Sequence, residues 1–161
     1  SMDDKSIARR KFLTAGGTVA AGGLAATLVP AGAVAADKKV RIAAMSDLKT
    51  WTPMEFEFPE GEPALLVDIG KAVEGGIGPN GSIVAYSTLC QHMGCPLNFD
   101  SDKNNLTCGC HASVFDPARS GMAIEGPATR GLPRIALTIE DGVVFAVGVA
   151  EGLVYGHACD A

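Results

Sequence analysis

The segment "LCQHMGCPLNFDSDKNNLTCGCHASVFD" constrains this chain more than any other, because it concentrates metal-binding side chains. Four cysteines and two histidines lie in it, whereas the whole chain has five cysteines and three histidines. A tetrahedral metal takes four such ligands, so two of the six are left over. They are spaced as Cys90-x-His92-x2-Cys95, then twelve residues, then Cys108-x-Cys110-His111. Both halves must meet if they are to share one centre.

The first 36 residues have the composition of an export signal. "ARRKFLTAGG" holds paired arginines followed by Phe-Leu, and no charged residue occurs from Phe12 to Ala36. "AGAVAAD" then offers small residues for cleavage. These features predict a twin-arginine signal peptide over residues 1–36, in which Ser1 is a cloning scar, and a mature domain over residues 37–161. A retained membrane anchor is the alternative, because the stretch is long enough to span a bilayer.

Export by this route bears on chemistry and partners. The twin-arginine system carries folded proteins, so it fits a cofactor inserted in the cytoplasm and a periplasmic destination where disulfides persist. The chain has a net charge of −5, and its leader carries four basic and two acidic residues, so the mature domain has −7. Nucleic-acid binding needs the opposite charge and is set aside. Membrane contact is expected only if the leader is retained.

The mature domain has the pattern of an all-β protein. Short apolar or alternating runs predict strands at Val40–Met45, Met54–Phe58, Ala64–Gly70 and Ser82–Thr88. "RIALTIEDGVVFAVGV" (Arg134–Val149) places Asp-Gly between two β-branched runs, which is typical of a tight hairpin. The polar segment Phe99–Asn105 is expected to be a solvated loop. No mature stretch has a convincing helical stripe, so we expect an antiparallel sandwich or barrel.

Three kinds of site fit the cysteines and histidines. One thiolate and one imidazole from each half give C-x-H-x15-C-x2-H and leave one cysteine over in each half. A Cys2His2 set is also a legitimate structural zinc site. Disulfides with bystander histidines are possible in an exported chain, but they leave the closeness of each histidine to a cysteine unexplained. The ligand set and the compartment favour an iron–sulfur centre.

The pattern C-x-H-x15-C-x2-H resembles the Rieske [2Fe–2S] family, in which two cysteines hold one iron and two histidines hold the other. Carried over by position, the resemblance implies that Cys90 and Cys108 bind the first iron and that His92 and His111 bind the second. It also implies the Rieske fold, an antiparallel β base domain with an inserted cluster-binding subdomain, here about residues 88–130.

The same resemblance assigns the remaining residues of the motif. Cys95 and Cys110 match the cysteines that form a disulfide between the two cluster loops in exported, high-potential members. Ser113 lies where the family's serine donates a hydrogen bond to a bridging sulfide. Phe115 lies where quinol-oxidising members have a tyrosine that donates to a cysteine sulfur. Such hydrogen bonds raise the reduction potential.

The missing hydroxyl at Phe115 bears on the expected potential. Rieske clusters span roughly −150 to +300 mV, against about −400 mV for all-cysteine plant-type clusters. We expect this chain to lie above the oxygenase ferredoxins and below the quinol-oxidising proteins. The substitution Phe115→Tyr should raise the potential in a redox titration, and an unchanged or lower value would contradict this assignment.

Three further residues are expected to cover the cluster. "GPAT" resembles the proline loop of the family, which places Pro127 over the site. Gly94, inside the first loop, is expected to let backbone N–H groups approach sulfur. Its neighbour Met93 is expected either to shield the cluster or to pack. Cys159 lies outside the six-residue set and is expected to be a spare thiol.

Two longer stretches, "GGIGPNGSIVAYSTLCQHMGCP" and "GLPRIALTIEDGVVFAVGVAEGLVYG", are similar to the small subunit of bacterial arsenite oxidase. The similarity covers most of residues 40–156 and implies an electron relay. In that family a large molybdopterin subunit oxidises arsenite, and the small subunit passes the electrons on to a cytochrome c or a cupredoxin. No general base, nucleophile or substrate pocket is evident in the sequence, which agrees with a relay.

Two other functions fit parts of the sequence. A Rieske subunit of a quinol-oxidising cytochrome bc-type complex would want a retained anchor and a tyrosine in place of Phe115. A structural zinc-binding module would use the same ligand types, but the protein would be colourless and free of iron.

Overall fold

The computed structural model describes residues 39–156, so the predicted leader and Cys159 lie outside the described residues. Ten strands and two short 3-10 helices, Met45–Asp47 and Pro117–Arg119, make up this part. The strands are β1 Val40–Ala44, β2 Met54–Glu57, β3 Pro63–Asp68, β4 Ile83–Ser87, β5 Leu97–Asp100, β6 Asn105–Cys108, β7 Val114–Asp116, β8 Met122–Glu125, β9 Arg134–Glu140 and β10 Val143–Glu151. Within this range, no helix is long and apolar enough to cross a membrane.

The strands form two antiparallel sheets. A six-stranded base sheet has the order β1-β10-β9-β4-β3-β2, and a four-stranded sheet has the order β5-β6-β7-β8. Because β5 to β8 lie between β4 and β9 in the sequence, the small sheet is an insertion into the base sheet. This architecture confirms the predicted all-β fold class.

The central strands of the base sheet are buried on both faces. Along β3, Leu65 and Val67 pack in one core, whereas Leu66 packs in the other. A strand covered on both faces has a continuous apolar sequence rather than an alternating one, which explains the run "ALLV". The first of these cores also contains Cys90 and Cys108, so it joins the base sheet to the metal-binding segment.

The hairpin predicted at Arg134–Val149 is confirmed. Glu140 and Val143 are paired at its end, and the turn residues Asp141 and Gly142 have φ values of 49° and 74°. Asp-Gly favours this left-handed pair of conformations, which matches the twist of the flanking strands. The other four predicted strands are also observed, with ends shifted by at most two residues.

The prediction of a single solvated loop at Phe99–Asn105 is wrong at both ends. Phe99 and Asp100 belong to β5, Asn105 belongs to β6, and only residues 101–104 form the turn. The Asp100 carboxylate accepts hydrogen bonds from the N–H groups of Asp102 and Lys103, at 3.0 and 3.1 Å. Such a local side-chain turn needs a polar sequence, and so a tight hairpin resembled a loop.

Candidate metal centre

Two loops with the same backbone hydrogen bonds carry the candidate ligands. Loop 1 (residues 90–95) lies between β4 and β5, and loop 2 (residues 108–113) begins at the end of β6. In each loop, the carbonyl of the first cysteine accepts from the N–H four residues on, at 2.8 Å in loop 1 and 3.0 Å in loop 2. Its N–H donates to the carbonyl five residues on, at 2.8 Å in both. One local structure is therefore built twice.

The fourth residue after each cysteine turns the loop back on itself. Gly94 in loop 1 and Ala112 in loop 2 have φ values of 74° and 57°. Alanine adopts this left-handed conformation at a cost of about 1–2 kcal/mol, whereas glycine adopts it without that cost. At Gly94 a side chain is excluded a second time, because a Cβ would lie 2.4 Å from the Tyr155 ring.

The thiols of Cys90 and Cys108 are buried and close together. Neither is in a disulfide, and their exposed fractions are 1 % and 3 %. The two thiols are hydrogen-bonded to each other. In addition, the backbone N–H groups two and three residues after each cysteine donate to its sulfur. These four donors, placed equivalently in the two loops, favour the thiolate form that binds metal.

The two thiols differ in acidity. Burial raises the pKa of the Cys90 thiol, and the adjacent Cys108 raises it further. The backbone N–H donors act to lower this pKa but do not outweigh the other two effects. Burial also acts to raise the pKa of Cys108, but its N–H donors and the hydrogen bond with Cys90 outweigh that effect and lower it. A proton shared between the sulfurs explains both directions. Because two buried thiolates repel each other, both can ionise only with a cation between them.

The imidazoles of His92 and His111 meet edge to face, with ring centroids 4.8 Å apart. Nδ1 of His92 is buried and has no hydrogen-bond partner among the residues that the structure describes. Leaving a buried polar atom unpaired costs about 1–3 kcal/mol, and a metal ion is one partner that removes this cost. His111 is exposed, so the imidazole pair extends from the interior to the surface.

The expected disulfide between Cys95 and Cys110 is present and joins the two loops, with the Cα atoms 6.6 Å apart. Its sulfurs and the sulfur of Cys108 lie within 4.8 Å of one another. Sulfurs bonded to each other are not thiolates, so these three residues are not a ligand set. Cys90 and Cys108 are outside the disulfide, so these two cysteines and the two histidines stay free to bind a metal.

Ser113, at the end of loop 2, is fully buried and hydrogen-bonded. Its hydroxyl oxygen accepts from the N–H of Ala128 at 3.2 Å, which leaves the hydroxyl hydrogen available to donate. Gly126 presses against the same residue, because a Cβ there would lie 2.5 Å from the Ser113 Cα. The expected proline loop therefore contacts loop 2 through the residues on either side of Pro127, and Pro127 itself is exposed.

Two other predicted site residues lie in different surroundings. Phe115 is fully buried opposite Leu106 and shares the core of the thiols. Met93 is 58 % exposed, so it does not pack into the core. Sequence reasoning missed Tyr155 and Ala128. Ala128 contributes only a backbone N–H, and Tyr155 lies far along the chain from loop 1, so neither has a local signal.

Known proteins resemble this chain over much more of its length than the metal centre. The Rieske [2Fe-2S] domain family matches residues 38–136. Iodate reductase subunit IdrB of Denitromonas iodatirespirans is 40% identical over 94% of this chain and 85% of its own length. The subunit of the same name from Pseudomonas sp. (strain SCT) is 38% identical over 93% and 82%. The soluble domain of Rieske protein II from Sulfolobus acidocaldarius has a similar fold, with a TM-score of 0.57 at 24% identity over 71% of this chain and 82% of that one.

Proposed function

The chain belongs to the Rieske [2Fe–2S] family, and on that premise we propose that it is the electron-transfer subunit of a periplasmic arsenite oxidase. The observation that carries the electron-transfer role is the fit of the site to the cofactor. Two buried thiols have four N–H donors around them, and the site also holds a buried imidazole nitrogen that no described residue pairs with. A bound [2Fe–2S] cluster supplies one-electron chemistry.

In this proposal Cys90 and Cys108 hold one iron as thiolates, and His92 and His111 hold the other through ring nitrogens. The backbone N–H groups offset the negative charge of the sulfurs, which favours the reduced state. The core around the thiols excludes water, and the disulfide limits how far the loops can separate. The exposed His111 offers electrons a path to the surface.

The proposed partner is a molybdopterin-containing large subunit that holds the substrate. Arsenite oxidation there releases two electrons, which this chain passes singly to a cytochrome c or a cupredoxin. Support comes from the resemblance of "GGIGPN", "HMGC" and the "VGVAEGLVYG" tail to the arsenite oxidase small subunit. The twin-arginine pattern of the leader supports the periplasm as the place of action.

Iodate reduction is the second candidate, favoured by the names of two relatives that match more than nine-tenths of this chain. Electrons would then run the other way, from a donor protein through this chain to an iodate-reducing subunit. Quinol oxidation is less well supported, because the position of the family's tyrosine holds the buried Phe115. The zinc alternative is set aside, since the family binds iron and sulfide.

The test is low-temperature electron paramagnetic resonance on the native complex isolated from the periplasm. Arsenite, with no other reductant, should bring up the signal of a reduced Rieske cluster. A sample reduced with dithionite, freed of excess reductant and then mixed with iodate tests the second candidate, with nitrate as the control oxyanion. If iodate removes the signal and arsenite never produces it, the second candidate replaces the first. If neither substrate has an effect, the cluster assignment stands and both partner assignments fail.

A further inference from the structure

Large apolar side chains remain exposed beside loop 1. Of the five such side chains found within residues 39–156, three lie on loop 1 or on the tail that follows β10. They are Met93, Leu153 and Tyr155, with exposed fractions of 58%, 52% and 44%. The Tyr155 ring contacts Gly94, the neighbour of Met93, so the tail and loop 1 form one surface. Exposed apolar patches of this kind mark interaction sites.

The same surface holds a cation without a counter-charge. A depression of about 390 Å³ is lined by Leu153 and Tyr155 together with Gln91, Thr129 and Arg130. Among the described residues, no carboxylate pairs with Arg130 and none lines the depression. The surface is therefore complementary to a negative group surrounded by apolar side chains, even though the chain as a whole is acidic.

The tail is anchored at two points. Val154 is only 3% exposed, although the residues on either side of it point outward. Gly152 packs against Pro133, where a Cβ would lie 3.2 Å from the proline Cα. A surface that is already ordered loses little entropy when a partner binds it.

We propose that this surface, formed by Met93, Leu153, Tyr155 and Arg130, docks the large catalytic subunit, which presents a carboxylate to Arg130. The inference rests on the proposed function for the existence of that subunit. Tyrosine, methionine and arginine are enriched in the cores of protein interfaces and in their energetic centres. Permanent interfaces are also the more apolar ones, which favours the catalytic subunit over a transient electron acceptor.

The experiment uses the two-subunit complex with its cofactors. Arg130→Glu should weaken the association of the subunits about tenfold or more, measured as the dissociation constant on dilution. Leu153→Ser removes an apolar contact without changing charge and should weaken the association less. Arg130→Lys keeps the positive charge and should keep most of the wild-type affinity. The control is Arg41→Glu, which reverses an exposed arginine on β1 at the edge of the base sheet and should leave association unchanged.

The Rieske resonance signal, recorded on each variant, separates docking from folding. Variants that keep the signal and lose the partner support the proposal. If Arg130→Glu and Leu153→Ser both assemble like the wild type, the proposal is wrong. It is also wrong if assembly is unchanged but transfer to the acceptor slows, since the surface would then belong to the acceptor. Should neither arsenite nor iodate affect the cluster while Arg130→Glu still releases the partner, the docking inference stands and the proposed function fails.

Discussion

Loop 1 and loop 2 share one backbone conformation but have different neighbours. In both, the first cysteine closes the loop through two backbone hydrogen bonds, and two N–H groups point at its sulfur. Loop 1 is covered by Tyr155, and its histidine keeps a ring nitrogen buried. Loop 2 is covered by Gly126 and Ala128, and its histidine is exposed. The two loops therefore place their sulfurs in equivalent surroundings but differ in their cover and in the exposure of their histidines.

Substituting Gly94 with alanine, the residue at the equivalent position of loop 2, should destabilise the protein more than any other change to the two loops. Gly94→Ala combines the cost of a left-handed alanine with a clash against the Tyr155 ring, for a loss of about 2–4 kcal/mol in the free energy of unfolding. Urea unfolding and the iron content per chain measure it. The double variant Gly94→Ala with Tyr155→Ala should regain only the part of the unfolding free energy that the clash with the ring costs. A loss of only about 1–2 kcal/mol would show that the ring moves aside freely, and a single variant as stable as the wild type would contradict both terms.

Separating the loops should have the next largest effect. Replacing both Cys95 and Cys110 by serine removes a link between residues 15 apart, which is worth about 3 kcal/mol. The melting temperature of the variant should fall to that of the reduced wild type, and a reductant should then change the variant no further. Equal melting of the oxidised wild type and the variant would mean that the core alone holds the loops together.

Ser113 stands in loop 2 where loop 1 has Cys95, and its hydroxyl is the difference to remove. Ser113→Ala should lower the reduction potential by about 40–90 mV, which corresponds to about 1–2 kcal/mol for a lost hydrogen bond and a one-electron couple. A redox titration followed by the resonance signal measures it. Ser113→Thr, which keeps the hydroxyl, is the control and should stay closer to the wild type. An unchanged potential in the alanine variant would assign the serine to packing alone.

Making loop 2 like loop 1 should have the smallest effect, and in the opposite direction. Ala112→Gly relieves the left-handed strain of alanine, and the added freedom of the unfolded chain offsets part of the gain. A net stabilisation of about 0.5–1 kcal/mol in urea unfolding is expected. A loss of stability would indicate that the Ala112 methyl group makes a contact that outweighs its strain.

Local patterns predicted the parts of the fold that depend on neighbouring residues. Asp-Gly at positions 141 and 142 strongly favours a tight hairpin turn, so the last hairpin followed directly from the residue types. The two-sided burial of β3 was indicated by its unbroken apolar run. The hairpin between β5 and β6 was missed, because the Asp100 turn chemistry gives it the polarity of a loop.

The metal centre likewise has features that local sequence predicts and features that only packing decides. The spacing of Cys90, His92, Cys108 and His111 is enough to mark them as candidate ligands, because ligand chemistry depends on residue type and local spacing. The lack of any partner for Nδ1 of His92 within the described part of the chain depends on every element packed around it. So does the hydrogen bond from Ala128 to Ser113, which joins residues 15 apart.

The sequence by itself indicated the candidate ligand types and the class of fold, since these depend on residue chemistry and short-range periodicity. The family followed from the resemblance of the C-x-H-x15-C-x2-H motif. Only the tertiary structure decided how the two loops are covered. The Tyr155 ring reaches Gly94 because the tail after β10 returns to loop 1, and Gly126 reaches Ser113 because β8 pairs with β7. Contacts between distant segments come from chain closure and packing, which leave no mark at either residue alone.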